Sequence, residues 1–446
     1  MSKIILTTIL VIIVYVLTQT PVTPVITENI IPNIPYIHET PQVEEEEKIQ
    51  HIETPEKVKS LYITAHATTD HKKMQHIFDL ADQSEVNSVT IDIKTVSGYT
   101  TFDIDSEHFW NIKTASNGII SDPEALVKRF HDAGIYVVWR VVVFKDKRLA
   151  ELRPDLAVQT PDTKKPWSDY KWLKYLDPGA KEVWDYNAAI AKHAYDIWFD
   201  EINFDYVRFP TDGNIRYTYY PHSEEIQNKQ GKWGKIKVLD MFSEYITRTI
   251  KETHPDVKLS ADIFWLITRH NEYLIWQNLE SFLLYFDYIG PMIYPSHYGK
   301  WFLNLQVPDN HPYEIFSDAT KFTINRIDKL NKQIEEVQSS TGSTVFTIQN
   351  VLDTARDGTQ LEKVEYSKYR PWLQGFSCTR CRGATPYMRT KFREQIRALE
   401  EQWIHSWRVW NAASNYYEEW YDPDELPLDQ IISTEETNTQ TWAIED

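Results

Sequence analysis

The feature that most constrains the fold is an alternation of short apolar runs, rich in β-branched residues, with longer amphipathic segments. This alternation is typical of βα units, whose strands assemble into a parallel sheet. The runs with the length and composition of strands are residues 60–66, 88–94, 135–144, 201–207, 258–264, 288–294, 344–350 and 406–411. Eight such units in roughly 350 residues predict an α/β fold with a single (β/α)₈ TIM barrel and long βα loops.

Several segments between these runs have helical patterns. Residues 122–133 form one predicted helix, with Ser121 as its N-cap, and residues 180–197 and 389–402 form two others. A doubly wound open sheet alternates in the same way, but its nucleotide-binding form carries a glycine-rich loop after the first strand. No such loop follows residues 60–66. The pattern therefore favours the barrel.

The two ends of the chain differ from the middle. Residues 1–20 contain an apolar run from Ile4 to Leu17 after Lys3, which predicts a signal peptide or signal anchor. Residues 21–59, rich in Pro, Thr and Glu, read as a linker, and residues 418–446 read as an acidic tail. We therefore expect residues 60–417 to form the barrel. We also expect it to be extracytoplasmic, secreted or held at the membrane through the N-terminal segment.

Charge and cysteine content narrow the function classes. A formal net charge of -18 opposes nucleic-acid binding, which depends on Lys and Arg contacts to phosphates. The two cysteines, Cys378 and Cys381, lack the second ligand pair that a structural zinc site needs. Their spacing leaves two possibilities open, a short-loop disulfide or a pair of free thiols.

Polar residues recur at alternate positions of the predicted strands. Because strand side chains alternate between the barrel axis and the helix layer, these residues are expected to point inward. The inward set comprises Asp92, Lys94, Arg140, Asn203, Asp205, Asp262, Gln349 and Asn411. Ends of barrel strands are where barrel enzymes place their chemistry, so acids and bases gathered there predict a site. The alternative is a satisfied polar network that fills the barrel.

Several segments carry a family resemblance. Residues 199–210, with the sequence FDEINFDYVRFP, are similar to the fourth-strand motif of a bacterial family of glycosyl hydrolase-like TIM-barrel domains of unknown function. Residues 166–170, 176–178, 291–298 and 410–412 match other segments of that family. The matches are spread from about Leu61 to Tyr416 and so cover the whole predicted barrel.

The resemblance implies glycosidic bond hydrolysis in a poly- or oligosaccharide. In the wider group of sugar-cleaving barrels, including the α-amylase-like enzymes, a fourth-strand Asp is the nucleophile and a fifth-strand acid protonates the leaving oxygen. The positions that match this pattern are Asp205 and Asp262, although the fifth-strand acid of the amylase-like group is usually the longer Glu. Asp92 is a further candidate for the acid.

We expect the remaining residues of the site to bind sugar or to tune the acids. The substrate-binding candidates are Asp92, Lys94, Arg140, Arg208, Tyr294, His297, Trp410 and Asn411. Cations such as Arg140, Arg208 and Lys94 would favour the ionised form of Asp205, and an apolar wall of Phe264 and Trp265 would raise the pKa of Asp262.

Two other functions fit the same residues. One is a non-catalytic glycan-binding barrel held at the cell surface. The other is a metal-dependent hydrolase with Asp92, Asp205 and Asp262 as oxygen ligands, which Lys94 and Arg140 in the same layer disfavour by charge repulsion. The hypothesis we favour needs no cofactor or metal ion, and its partner is a carbohydrate substrate.

Overall fold

The computed structural model describes residues 50–104, 116–270, 275–339 and 362–422. In this part of the chain eight parallel strands close into a barrel in chain order, with β8 pairing to β1. The strands are β1 Lys59–Ile63, β2 Ser88–Lys94, β3 Tyr136–Val142, β4 Glu201–Asp205, β5 Lys258–Phe264, β6 Tyr288–Met292, β7 Trp372–Gln374 and β8 Trp407–Trp410. The predicted (β/α)₈ barrel is confirmed.

Helices surround these strands. The α-helices of the described residues are α1 His71–Gln83, α2 Pro123–Asp132, α3 Lys147–Leu152, α4 Lys181–Asp196, α5 Glu224–Gln230, α6 Gly234–Lys251, α7 Leu279–Tyr285, α8 Pro312–Ser339 and α9 Arg389–Glu400. The three predicted helices end within two residues of the observed ends. The N-cap prediction for α2 is wrong by one residue, because Asp122 and not Ser121 accepts the Ala125 N–H, at 2.9 Å.

Strand alternation divides the barrel into an apolar outside and a polar inside. Val89, Ile91 and Ile93 of β2 join the apolar core together with side chains of the surrounding helices. Thr90 instead contacts the Ser60 hydroxyl at 2.9 Å, and Asp92 contacts polar side chains of other strands. The side chains that could take part in chemistry are thereby directed toward the barrel axis.

A cluster of buried charged side chains lies inside the barrel near the amino ends of the strands. Glu201, the first residue of β4, accepts hydrogen bonds from Arg408 of β8 and from Arg370, the latter at 3.0 Å. Arg408 also donates to the Ser260 hydroxyl at 2.9 Å. Glu201 thus pairs with two arginines at once, and the layer is a buried ion-pair network whose charged residues were not among the predicted site residues.

The seventh strand lies elsewhere than predicted. The position in the barrel assigned to residues 344–350 is occupied by Trp372–Gln374, so that assignment is wrong, and residues 344–350 with Gln349 lie outside the described residues. The real strand has only three residues, between Pro371 and Gly375. Such a short strand leaves no apolar run from which it could be recognised.

An irregularity in β2 redirects Lys94. The register with β3 shifts between Asp92, which pairs with Arg140, and Lys94, which pairs with Val141. Lys94 consequently lies 3.0 Å from Asp146 Oδ2 and donates to Asn187 Oδ1 of α4 at 3.2 Å. The prediction that Lys94 faces the barrel axis is wrong, because a bulge reverses the alternation.

Residues outside the predicted barrel boundaries, 60 and 417, also pack against the barrel. The Ile52 N–H donates to Asp200 Oδ1 at 2.7 Å, and Trp420 stacks on Phe392 of α9 with ring centroids 5.2 Å apart.

Cys378 and Cys381 form a disulfide, which decides between the two possibilities left open by their spacing. Among the described helices none is long and apolar enough to cross a membrane.

Candidate active site

A cavity of about 260 Å³ opens at the carboxyl ends of the strands. Several lining residues are the last of their strands, including Asp205 of β4, Phe264 of β5, Met292 of β6 and Trp410 of β8. The full lining comprises Arg140, Asp205, Tyr206, Arg208, Asp262, Phe264, Met292, Tyr294, His297, Trp372 and Trp410. This is the end of the barrel at which such folds carry out chemistry.

Arg140 links two of the predicted acids. Its Nη1 donates to Asp92 Oδ1 at 2.5 Å, and its Nη2 donates to Asp205 Oδ2. Burial opposes the positive charge, but the two carboxylates outweigh burial and hold the pKa of Arg140 well above its ordinary value. Arg140 thus holds both carboxyl groups in place through charge-assisted hydrogen bonds.

Asp262 occupies a different environment from Asp205. Its side chain is 2% exposed, and Oδ1 accepts hydrogen bonds from Trp372 Nε1 at 2.7 Å and from Asn203 Nδ2 at 3.1 Å. Burial, followed by the negative charge of Asp205, raises the pKa of Asp262 to about 7, although Arg408 and the Trp372 hydrogen bond act in the opposite direction. This is the direction predicted from the sequence. The carboxyl group can therefore carry a proton near neutral pH.

Gly290 makes room for the Asp262 carboxyl group. The two residues pair across β5 and β6, and a Cβ at position 290 would lie 2.6 Å from Asp262 Oδ1 and 3.0 Å from Trp372 Nε1. Any larger residue would displace either the acid or the indole that donates to it.

The chain turns sharply after Asp205. Tyr206 has a φ of 55°, in the left-handed region, and its N–H donates to Asp205 Oδ1 at 2.5 Å. The turn interrupts strand alternation, so the Tyr206 ring lines the cavity, whereas sequence parity suggested that it packs against helices. Strained backbone of this kind is common at functional sites.

Aromatic and basic side chains form the rest of the wall. Trp410 stacks on Tyr62 at a centroid distance of 3.9 Å, and Tyr294 meets His297 edge to face at 5.1 Å. Burial lowers the pKa of His297 despite the opposing charge of Asp309, so its imidazole is neutral near pH 7. The Arg208 guanidinium lies 4.8 Å from the centroid of the Tyr206 ring. Such a wall offers stacking faces and hydrogen-bond donors.

Three predicted site residues do not line this cavity directly. Asp92 lies just behind it, held by Arg140 and by the Tyr62 hydroxyl at 2.5 Å. Asn411 donates to the backbone carbonyls of Gly375 and Asn415, at 2.7 and 2.8 Å, and so fixes the loop after β8. Lys94 is buried with Asp146 on the helix side. Strand position was enough to predict that these residues are near the site. Their hydrogen-bond and ion-pair partners show that they support the structure around the cavity and do not line it.

Sequence reasoning missed Tyr62, Tyr206 and Trp372. Tyr62 shares the inward parity of Ser60 and could have been found from the alternation in β1. Trp372 could not, because its strand was assigned to another segment. Tyr206 could not either, because a positive φ in a non-glycine residue leaves no sign in the sequence.

A closed (β/α)₈ barrel with carboxyl groups, cations and aromatic rings around a cavity at its carboxyl end is a glycosidase-like barrel. The chain belongs to the family described as "putative glycosyl hydrolase domain", whose model matches residues 60–339 and 334–416. None of the curated proteins compared with the chain matches it.

The chain is similar to several solved bacterial proteins. A hypothetical protein from Ruminiclostridium thermocellum ATCC 27405 is 34% identical over 45% of this chain and 96% of its own, with a TM-score of 0.39. The PgaB (BpsB) glycoside hydrolase domain from Bordetella bronchiseptica is 10% identical over 83% of this chain and 100% of its own, with a TM-score of 0.54. At that identity the likeness to the Bordetella domain concerns the fold.

Proposed function

We propose that the protein hydrolyses a glycosidic bond in a poly- or oligosaccharide, with Asp262 as the general acid and Asp205 as the nucleophile or base. The observation that carries this proposal is the contrast between two acids of one cavity. Asp205 accepts a hydrogen bond from the permanently charged Arg140, whereas burial and the charge of Asp205 raise the pKa of Asp262 to about 7. Glycoside hydrolysis requires one carboxyl group that gives a proton and a second that attacks the anomeric carbon or activates water, and the two environments suit this division of roles.

In this mechanism the two acids act on opposite sides of the linkage. Asp262 gives its proton to the departing glycosidic oxygen, and the carboxylate of Asp205 attacks the anomeric carbon or removes a proton from water. Arg140 positions Asp205. Asp92 accepts a hydrogen bond from Arg140 and so holds the guanidinium, and the Tyr62 hydroxyl in turn donates to Asp92. Trp410, Tyr294 and His297 present ring faces and edges toward a sugar in the cavity.

Glycan binding without turnover is the second candidate. It is favoured by the fact that both carboxylate oxygens of Asp205 already accept hydrogen bonds, one from Arg140 and one from the Tyr206 N–H. The metal-dependent alternative meets an obstacle in Arg140, whose guanidinium bonds both Asp92 and Asp205 where a shared cation would have to bind.

We further propose that the barrel works outside the cytoplasm, anchored or exported through residues 1–20. The Cys378–Cys381 disulfide supports this location, because disulfides persist in oxidising compartments.

The experiment is product analysis by mass spectrometry after the purified protein is incubated with a panel of glucan, galactan, mannan and N-acetylglucosamine polymers. We expect the parent to release oligosaccharides, and we expect Asp205→Asn and Asp262→Asn each to slow release by about 10²-fold or more. Asp132→Asn, on the exposed surface of α2, is the matched control. A parent that binds a glycan but cleaves none, with both Asn variants binding equally well, would decide for the second candidate.

A further inference from the structure

A hairpin in the loop after β3 carries two exposed aromatic side chains. Residues 168–174 fold back on themselves through an antiparallel bridge between Ser168 and Lys174. Tyr170 is 80% exposed and Trp172 is 77% exposed. Rings of this size that stay in water forgo the favourable free energy of burying their apolar surface. Two adjacent rings at one tip therefore suggest a contact that the free protein lacks.

The base of this hairpin is firmly held. Asp169 Oδ1 accepts the N–H groups of Lys171 and Leu173 at 2.8 and 2.9 Å, and Asp169 N–H donates to the Leu173 carbonyl at 2.9 Å. Asp169 Oδ2 lies 3.0 Å from Lys145 Nζ, and both side chains are buried. The two exposed rings consequently stand on a fixed support.

The hairpin base is connected to the cavity wall. Lys145 Nζ lies 5.2 Å from the centroid of the Tyr206 ring, which lines the cavity. The loop after β4 also packs against the hairpin base, since a Cβ at Gly213 would lie 2.8 Å from the Trp167 ring and 3.0 Å from the Asp169 Cα. The support of the exposed rings therefore packs against a residue of the cavity wall and against the loop that follows β4.

We propose that this hairpin is a stacking platform for sugar units of a polymeric glycan whose cleaved linkage lies in the cavity. This inference rests on the proposed function and names its substrate class, a long glycan chain. At about 260 Å³ the cavity lies below the usual range for enclosed small-molecule sites, so a polymer must continue outside it. Aromatic faces suit the apolar faces of sugar rings, and they need no charge complementarity.

The barrel supplies a matched control on its opposite end. Trp403 is 82% exposed and has a φ of 63°, close to the 60° of Trp172. It lies between α9 and β8, at the amino end of the strands, far from the cavity mouth. The two tryptophans share exposure and backbone conformation, and they differ in which end of the barrel they occupy.

The test compares long and short substrates of whichever panel polymer the parent cleaves. For Trp172→Ala we expect KM for the polymer to rise about fivefold, with KM and kcat for its trisaccharide unchanged. Trp172→Phe should retain most of the polymer affinity, and Trp403→Ala should match the parent. Equal effects of Trp172→Ala on polymer and trisaccharide, or no effect on either, would overturn the platform.

Affinity gel electrophoresis in the same polymers separates this inference from the hydrolase proposal, because retardation needs no turnover. Retardation that is weakened by Trp172→Ala but not by Trp403→Ala supports the platform even if the parent cleaves nothing. If the parent cleaves the polymer but Trp172→Ala changes neither its retardation nor its KM, the hydrolase proposal is supported and the stacking platform is contradicted. Thermal unfolding of each variant shows whether the fold is retained.

Discussion

Asp262 carries a carboxyl group whose ionisation is unfavourable in the folded protein. Its pKa is raised to about 7 by burial and by Asp205, and in the unfolded chain the group has the ordinary pKa of an exposed Asp. The folded state therefore binds this proton more tightly than the unfolded state does. The stability that this difference contributes is complete below pH 4 and is lost as pH rises toward 7.

Replacement of Asp262 by Asn should expose that loss directly. The amide that replaces the carboxyl group does not ionise, so we expect the unfolding free energy of Asp262→Asn relative to the parent to increase between about pH 4 and pH 7 and to level off above, by an amount on the order of a few kcal/mol. Urea denaturation of both proteins across this range measures the difference, in which the other titrating groups largely cancel. A difference independent of pH would contradict the raised pKa.

The bulge in β2 shows how one irregular element changes the role of a side chain. Lys94 follows the inward Asp92 by two positions, yet it is buried against Asp146, which also accepts the Leu149 N–H at the start of α3. Lys94 thus joins β2 to the loop after β3 and does not contact the cavity.

Breaking this ion pair should cost stability and leave substrate affinity unchanged. We expect Lys94→Met to lower the unfolding free energy by about 3–5 kcal/mol, because it leaves Asp146 charged and buried. Adding Asp146→Asn, which keeps an acceptor for Leu149 but removes the charge, should recover part of the loss. Denaturation and KM are measured together, and a raised KM in the properly folded Lys94→Met variant would restore the binding role predicted from the sequence.

The same elements show what could be predicted from the sequence. The strands that hold Asp92, Asp205 and Asp262 have regular alternation, so strand position alone placed these acids inside the barrel, and β2 and β5 were predicted with their observed ends. The predicted side-chain directions of Lys94 and Tyr206 were wrong. A bulge in β2 turns Lys94 and a positive φ turns Tyr206, and periodicity reveals neither irregularity. Trp372 was missed because three residues between Pro371 and Gly375 are too short to form a pattern.

At the scale of the whole barrel, the junction between β6 and β7 is the least paired. Five register pairs join β5 to β6, whereas β6 and β7 share the single pair Met292 and Trp372, with an isolated bridge from Ile289 to Tyr369. Pro291 and Pro371 lie between these two points and have no N–H to contribute. Among the strand pairs of the barrel, β6 and β7 are consequently joined by the fewest backbone hydrogen bonds.

Hydrogen exchange should detect this junction. We expect the amides of residues 372–374 to exchange faster than those of β3, β4 and β5, since fewer backbone bonds must open to expose them. Exchange followed by mass spectrometry on the intact protein gives the comparison. Protection of β7 equal to that of β5 would show that side-chain packing around Trp372 compensates for the missing bonds.

The position of this junction has a consequence for the lifetime of the active form. Trp372 belongs both to the thinnest seam of the barrel and to the hydrogen bond that orients Asp262. A separation of β7 from β6 that displaced Trp372 would therefore remove one of the two hydrogen bonds that hold the Asp262 carboxyl group, while Asn203 and the longer strands keep their contacts. Heat tolerance of the scaffold and heat tolerance of its chemistry become separate properties, and improving the first need not improve the second.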